Sequence, residues 1–308
     1  MTSYEVMLSE SQERMMLLVR PGYLDKIKAV FDKWDLMSSV IGEITDDATV
    51  HIVDGEASEA TVPVVHLMEP PQYRLTGTPL KEIAAARGAD LSKLPLPTIT
   101  AADALLKLMA SANLASRAAV YRQYDQQVQA NTVVPPGSGD AAVLLLREEY
   151  GRKGTGKGIA VCTDGNSRMA YLDPYVGGQL VVAEACRNVS CVGAEPIALT
   201  DCLNFGNPER ADVYYQLEEC IKGMAEACRV FGVPVVSGNV SLYNESGEQA
   251  IYPTPVVGAL GLLEDVQLHC DSAFQDAGDV VVLLGADELA GDAASLAGSE
   301  YLEVLHDS

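Results

Sequence analysis

The chain has 308 residues, 48% of them hydrophobic, and 21 Lys and Arg against 43 Asp and Glu give a formal net charge of −22. That excess argues against a general nucleic-acid or anionic-membrane surface, which needs clustered Lys and Arg, but leaves phosphorylated ligands open, since backbone N–H groups and Mg²⁺ hold those without net positive charge. Seven cysteines with no C-x-x-C argue against a disulfide framework or a zinc site and point to a reducing cytoplasm; the N-terminus lacks the pattern of a secretory signal, and no apolar run nears the ~20 residues of a membrane span.

The length allows two domains at ~100–200 residues each. Residues 13–70 read as strand, helix, strand, strand. "RMMLLV" is apolar enough for a buried strand, and "YLDKIKAVFDKW" sets Leu24, Ile27, Val30 and Phe31 on one helical face. "TVHIVD" and "TVPVVHL" are short β-branched runs bounded by turn residues. Residues 71–137 form a connecting segment, rich in Pro and Gly at first and then carrying helices near 101–112 and 115–128. The run "NTVVPPGSGD" closes it, because paired prolines and glycines break regular structure.

From 138 to 265 the pattern is one mixed α/β domain. Strands are expected at "AAVLLLR", "GIAVCT", "PIALT", "VPVVSGNV" and "PVVGALGLL". "GGQLVVAEACRNV" reads as a helix, and "RADVYYQLEECIKGMAEACRVF" as an amphipathic one with Val213, Leu217, Ile221, Met224 and Cys228 on one side. The stretch 266–308 opens a new strand at "GDVVVLLG" and then stops, too short for a core of its own. The expectation is a piece of a longer chain.

Several motifs invite chemistry. "GRKGTGKG" fits the first part of a phosphate-cradling P-loop, but Gly158 stands where Ser or Thr should hold Mg²⁺, and a strand follows where a helix is needed. A basic hairpin between strands is the expected structure. In "AEACRN", Glu184 and Asn188 lie at i and i+4 on one helix face, and Asp164 of "TDGN" ends the preceding strand; such oxygens suit a hard cation such as Mg²⁺, although, taken alone, a solvated Glu and a near-terminal Asn on a helix are the better reading. "TDCLNFGNPE" and "SGNVSLYNES" run apolar strands into small polar residues, 37 residues apart with one helix between. Turn chemistry accounts for any one of these residues, yet two such ends point to a shared ligand site, where α/β sheets collect ligands. "LSESQERM", with Glu10, Ser11 and Gln12, taken alone reads as a solvated loop. His51, His66, His269 and His306 are scattered, and none is assigned to catalysis.

Together, "LSESQERM", "VYRQYDQQVQANTVVPPGSGDAAV", "YLDPYVGGQLVVAEACRN", "TDCLNFGNPE", "SGNVSLYNES" and "IYPTPVVGALGLLEDV" resemble phosphoribosylformylglycinamidine synthase along essentially the whole chain. The resemblance implies an α/β fold of the aminoimidazole ribonucleotide synthetase-like superfamily: the end of a first-half C-terminal-type domain at 1–70, the connecting segment at 71–137, a second-half ATP-type domain at 138–265 and the start of the next domain at 266–308. It implies a ligase of de novo purine biosynthesis that uses ATP and Mg²⁺ to activate the amide of formylglycinamide ribonucleotide. Ammonia, made from glutamine by a partner glutaminase, then displaces phosphate, and a small bridging subunit helps assemble the complex. Residue by residue, Asp201 and Gly238 would contact ATP, Asn239 would bind Mg²⁺, and Ser241, Glu10, Ser11 and Gln12 would contact the ribonucleotide. Asp164, Glu184 and Asn188 resemble an auxiliary nucleotide and Mg²⁺ site of larger members. The family's catalytic histidine falls in a first-half domain outside these 308 residues, so this chain by itself is expected to be inactive. Other readings are a non-catalytic nucleotide-binding brace and another enzyme of the same superfamily, the latter opposed by "LNFGNPE" and "NVSLYNES".

Overall fold

A computed structural model describes residues 2–9, 14–70, 72–147, 153–247, 249–285 and 293–306. The chain divides into two compact units, Met1–Arg74 and Leu75–Ser308. The first unit holds helices α1 (Ser3–Leu8) and α2 (Leu24–Lys33), strands β1 (Thr49–Asp54) and β2 (Ala57–Pro63), and helix α3 (Val64–Met68). Thr2 and Glu5 form a reciprocal capping box that fixes the start of α1. The strands β1 and β2 pair antiparallel from Thr49↔Pro63 to Asp54↔Ala57.

Two expectations fail in this unit. "RMMLLV" forms no strand: Met15, Met16 and Leu18 are 87%, 75% and 76% exposed. An apolar run supplies only one side of a ladder, and no described strand of this unit lies beside it to take its backbone groups. "TVPVVHL" is strand only to Pro63 and turns helical at Val64, because the proline has no N–H to continue a ladder.

The second unit begins with helices α4 (Lys81–Arg87), α5 (Ala101–Ala110) and α6 (Ala118–Tyr121), followed by strands β3 (Thr132–Val134), β4 (Ala142–Leu145) and β5 (Gly158–Gly165). Then come helices α7 (Ser167–Leu172) and α8 (Pro174–Cys191), strand β6 (Glu195–Asn204), helix α9 (Ala211–Phe231), strand β7 (Val235–Ser241), the short hairpin β8 (Glu245–Ser246) and β9 (Gln249–Ala250), strand β10 (Thr254–Leu263) and helix α10 (Glu300–His306). Six strands make one sheet in the order β3-β4-β5-β10-β6-β7. All pairs are antiparallel except β6–β7, a parallel pair joined through α9. The fold is therefore mixed α/β.

Burial alternates along β10 with period two. Pro255, Val257, Ala259 and Leu263 are buried on the face covered by α8 and α9, while Thr254, Val256 and Leu260 face the other way. The core gathers Val143, Ala160, Val181, Val182, Val189, Leu199, Val213, Met224 and Val257 beneath those two helices. The helices cross at glycines: a Cβ on Gly178 would strike the carbonyl of Cys220, and one on Gly223 would strike the carbonyl of Tyr175. On α9 the predicted face is displaced. Gln216 and Cys220 take inner positions, and Ile221 is 44% exposed, because at 100° per residue it stands about 80° round from Val213.

The polar runs after "PIAL" and "VPVV" are not turns at their start. β6 continues through Asn204 and β7 through Ser241, so "TDCLN" and "SGNVS" are paired strand. The expected strand at "GDVVVLLG" is absent over residues 279–285, where Val280, Val281 and Leu283 are 84%, 79% and 78% exposed.

Candidate functional site

β6 and β7 lie side by side with Asp201↔Gly238, Cys202↔Asn239 and Asn204↔Ser241 in register. The adjacent β10 sets Val257 opposite both Asp164 of β5 and Asp201 of β6. One line across the helix-covered face therefore reads Asp164, Val257, Asp201, Gly238. Asp164 and Asp201 are two strand spacings apart, about 9–10 Å. Asn239 and Ser241 are an odd number of residues from Gly238 and emerge on the opposite face, alongside Thr200 and Ser237, whose hydroxyls bond at 2.8 Å. The two polar ends are neighbours, then, but their residues divide between two sides of the sheet.

Asp201 is half-buried and makes no hydrogen bond or ion pair among the described residues. Burial pushes its carboxyl above the usual aspartate value. Its oxygen occupies the space a Cβ on Gly238 would need, so a side chain there would push the Asp201 carboxylate aside.

The loops beyond the two strands are tied together. The Asn244 side-chain amide donates to the carbonyls of Phe205 and Ser241, at 3.0 and 2.9 Å, and to Ser241 Oγ at 3.1 Å. Glu245 accepts from the backbone N–H of Asn207 at 3.0 Å and lies 3.4 Å from Arg210, which also pairs with Asp212 at 2.8 Å. The small polar residues of "FGNPE" are thus turn formers held by a neighbouring loop. Asn244 and Glu245 were not assigned from sequence, although they stand in "SLYNES"; an amide and a carboxylate bonded to backbone leave no periodic signal.

At the other end of the line, Asn188 donates to Asp164 Oδ1 at 3.0 Å, and Cys162 Sγ donates to Asp164 Oδ2 at 3.2 Å. Glu184 is partly buried one turn earlier on α8. The structure brings Asp164 and Asn188 into contact, with both carboxylate oxygens already bonded. Among the described residues no group of three or more His, Cys, Asp or Glu is placed to hold a metal. Asn239, exposed on the outer face, offers one neutral oxygen. These residues alone do not make a complete Mg²⁺ site. Glu10, Ser11 and Gln12 lie outside the described residues.

Lys157 pairs with Glu264 at 2.6 Å, and the next residue opens β5, which pairs antiparallel with β4. The glycine-rich run is a hairpin connection with Gly151 and Arg152 outside the described residues. Lys157→Ala is expected to leave nucleotide affinity within tenfold of the parent in a titration, whereas a P-loop lysine would cost more than that factor, ~1.4 kcal/mol.

Residues 138–263 match the family model "AIR synthase related protein, N-terminal domain", and residues 1–55 match the corresponding C-terminal domain. The two matched segments are AIR synthase related domains. Over 308 residues, 99% of its length, it is 49% identical to phosphoribosylformylglycinamidine synthase subunit PurL of Thermomicrobium roseum. It spans 40% of that protein. Among solved structures, that of PurLQS from Thermotoga maritima superimposes with a TM-score of 0.65 at 30% identity, over 87% of this chain and 41% of the other. PurL of the same organism complexed with ATP gives 0.61 at 30% identity, over 87% and 40%. Among the described residues no helix is long and apolar enough to cross a membrane.

Proposed function

We propose that the chain forms the second-half, nucleotide-facing edge of a phosphoribosylformylglycinamidine synthase. The activity is that of a carbon–nitrogen ligase: ATP activates the amide of formylglycinamide ribonucleotide, ammonia replaces the resulting phosphate, and ADP and phosphate leave. The reading rests on similarity to PurL along 99% of this chain, which spans 40% of that protein, and on the placement of Asp201. A carboxylate half-withdrawn from water with no donor beside it is costly unless a ligand supplies one. ATP offers ribose hydroxyls and an adenine amino group, and the bare backbone at Gly238 lets the ligand approach. Asn239 would give one neutral oxygen to Mg²⁺, which when bound screens phosphate charge. Ser241, with Glu10, Ser11 and Gln12, would position the ribonucleotide. Phosphoryl transfer of this kind depends mainly on positioning and charge stabilisation, which suits residues that are small rather than reactive. The catalytic histidine, the glutaminase that generates ammonia from glutamine and the small bridging subunit would come from outside this chain, in the cytoplasm.

The division between faces sharpens the assignment. β7 is the edge strand of the sheet, so a nucleotide held by Asp201 and Gly238 on the helix-covered side would pass round that edge to meet Mg²⁺ at Asn239 and the ribonucleotide at Ser241 on the outer side. Asn239→Ala in a synthetase carrying this segment is expected to lower turnover and raise the Mg²⁺ requirement, with the melting temperature of the metal-free protein within a few degrees of the parent. Activity per folded molecule that is unchanged, together with a large loss of melting temperature, would make Asn239 a strand former and refute its metal role.

A second reading is a nucleotide-holding brace without catalysis, with Asp164, Glu184 and Asn188 as its site. The two are separated by asking whether the chain, supplemented with the first half of a PurL protein, releases phosphate from ATP only when formylglycinamide ribonucleotide is present.

A further inference from the structure

A cleft of about 480 Å³ opens between α4, Tyr171 of α7, the start of α9 and the β8–β9 hairpin, and a second of about 290 Å³ shares Leu80, Tyr171 and Gln216 with it. Neither includes Asp164, Asp201, Gly238, Asn239 or Ser241. Gln216 lines both. It is 8% exposed, the one buried polar side chain among the described residues, and its amide has no hydrogen-bond partner among them. The amide opens onto the cleft, within reach of a bound group. Here it stands where two clefts meet.

The surroundings define what would satisfy it. Tyr171 and Tyr252 present rings 4.7 Å apart at 34°, a surface for a flat ring. The Tyr171 hydroxyl donates to Glu82 at 3.1 Å. The cations nearby are already matched: Arg210 by Asp212 and Glu245, Arg87 by Asp173 at 3.2 Å. Glu82 has no ion-pair partner among the described residues, so the local field rejects a further anion and accepts neutral or cationic groups. The larger volume lies in the range of small-molecule sites.

We propose that the two clefts form one binding site for a nucleoside without phosphate. The base lies against Tyr171 and Tyr252. Gln216, which has one acceptor and two donors, reads its amide-like edge. Glu82 and Asp212 accept from ribose hydroxyls or an exocyclic amine. The site is separate from the proposed ATP edge.

Calorimetric titration of the 308-residue chain with adenosine and with AMP tests this. Adenosine binds with a dissociation constant below ~1 mM, AMP binds at least tenfold more weakly, and Gln216→Leu loses at least tenfold in adenosine affinity. Tyr252→Ala, at a ring 54% exposed, keeps the fold and also loses at least tenfold, which covers the case of a misfolded Gln216 variant. Asp201→Asn leaves adenosine affinity unchanged. The proposal falls if adenosine fails to bind at ~1 mM, if AMP binds as well as adenosine, if either cleft variant keeps full affinity, or if Asp201→Asn abolishes binding, which would place adenosine at the strand edge.

Discussion

Gly223→Ala will lower the melting temperature by about 5–10 °C, although alanine is the better helix former. In an exposed helix interior the exchange is worth about 1 kcal/mol in alanine's favour. Here the added methyl must enter the space of the Tyr175 carbonyl on α8. The neighbour is backbone, so the helices themselves must part, and overpacking of this kind costs typically 1–3 kcal/mol and occasionally more. With the crossing wedged apart, Val181, Val182 and Val189 of α8 lose contact with the sheet as well. A net loss of about 2–3 kcal/mol converts to that shift at 2–4 °C per kcal/mol. Thermal unfolding by circular dichroism reads the sign directly, and a rise would mean that α8 and α9 do not cross at this glycine.

Asp201→Asn will act in opposite directions on stability and on binding. Burial raises the Asp201 carboxyl above its ordinary value of 3.8. The folded chain therefore holds more protons than the unfolded chain between 3.8 and the raised value, and stability falls as pH climbs through that window. Asparagine removes the penalty, so at pH 7 the variant melts higher than the parent, and the difference closes at pH below about 4. If Asp201 holds the nucleotide as proposed, the same change in the assembled synthetase removes a charged acceptor from it. Hydrogen bonds to charged groups contribute about 1.5–3 kcal/mol, so ATP affinity drops tenfold or more. A variant that melts lower at neutral pH and binds ATP unchanged would assign Asp201 a purely structural role.

What could be read from sequence follows from which interactions are local. The helices α8 and α9 announce themselves by apolar spacing over eighteen and twenty-one residues. Antiparallel β4–β5 was legible in the glycine run between two apolar segments. The end of β6 was misplaced because Asp201 and Asn204 are poor strand formers by composition, yet ladder bonds with β10 and β7 carry it to Asn204, whereas the strand expected at "VPVVSGNV" ends within one residue of β7. "RMMLLV" failed for the converse reason: strong propensity with no ladder to join. At the site, residue types and their neighbourhood were visible, since a strand–helix–strand unit returns its second strand beside its first. The division of Asp201 and Gly238 from Asn239 and Ser241 between faces was not, because it depends on strand register, and a shift of one residue reverses it. Gln216 carried no signal at all. A glutamine in an amphipathic helix reads as solvated until the second cleft wall, α4, is in place.

The cysteines lend the sheet and its two helices a built-in clock. Burial pushes the thiols of Cys162 and Cys220 up to about 12 and raises those of Cys186 and Cys228 as well, while Cys191, Cys202 and Cys270 face solvent. Alkylation needs the thiolate and access to it. The slow set sits on β5, α8 and α9, on both sides of the same interface, so each late modification marks an occasion on which strand and helix separated. Counted by mass against time, the gap between the fast three and the slow four measures how seldom the layer opens, as amide exchange does for backbone.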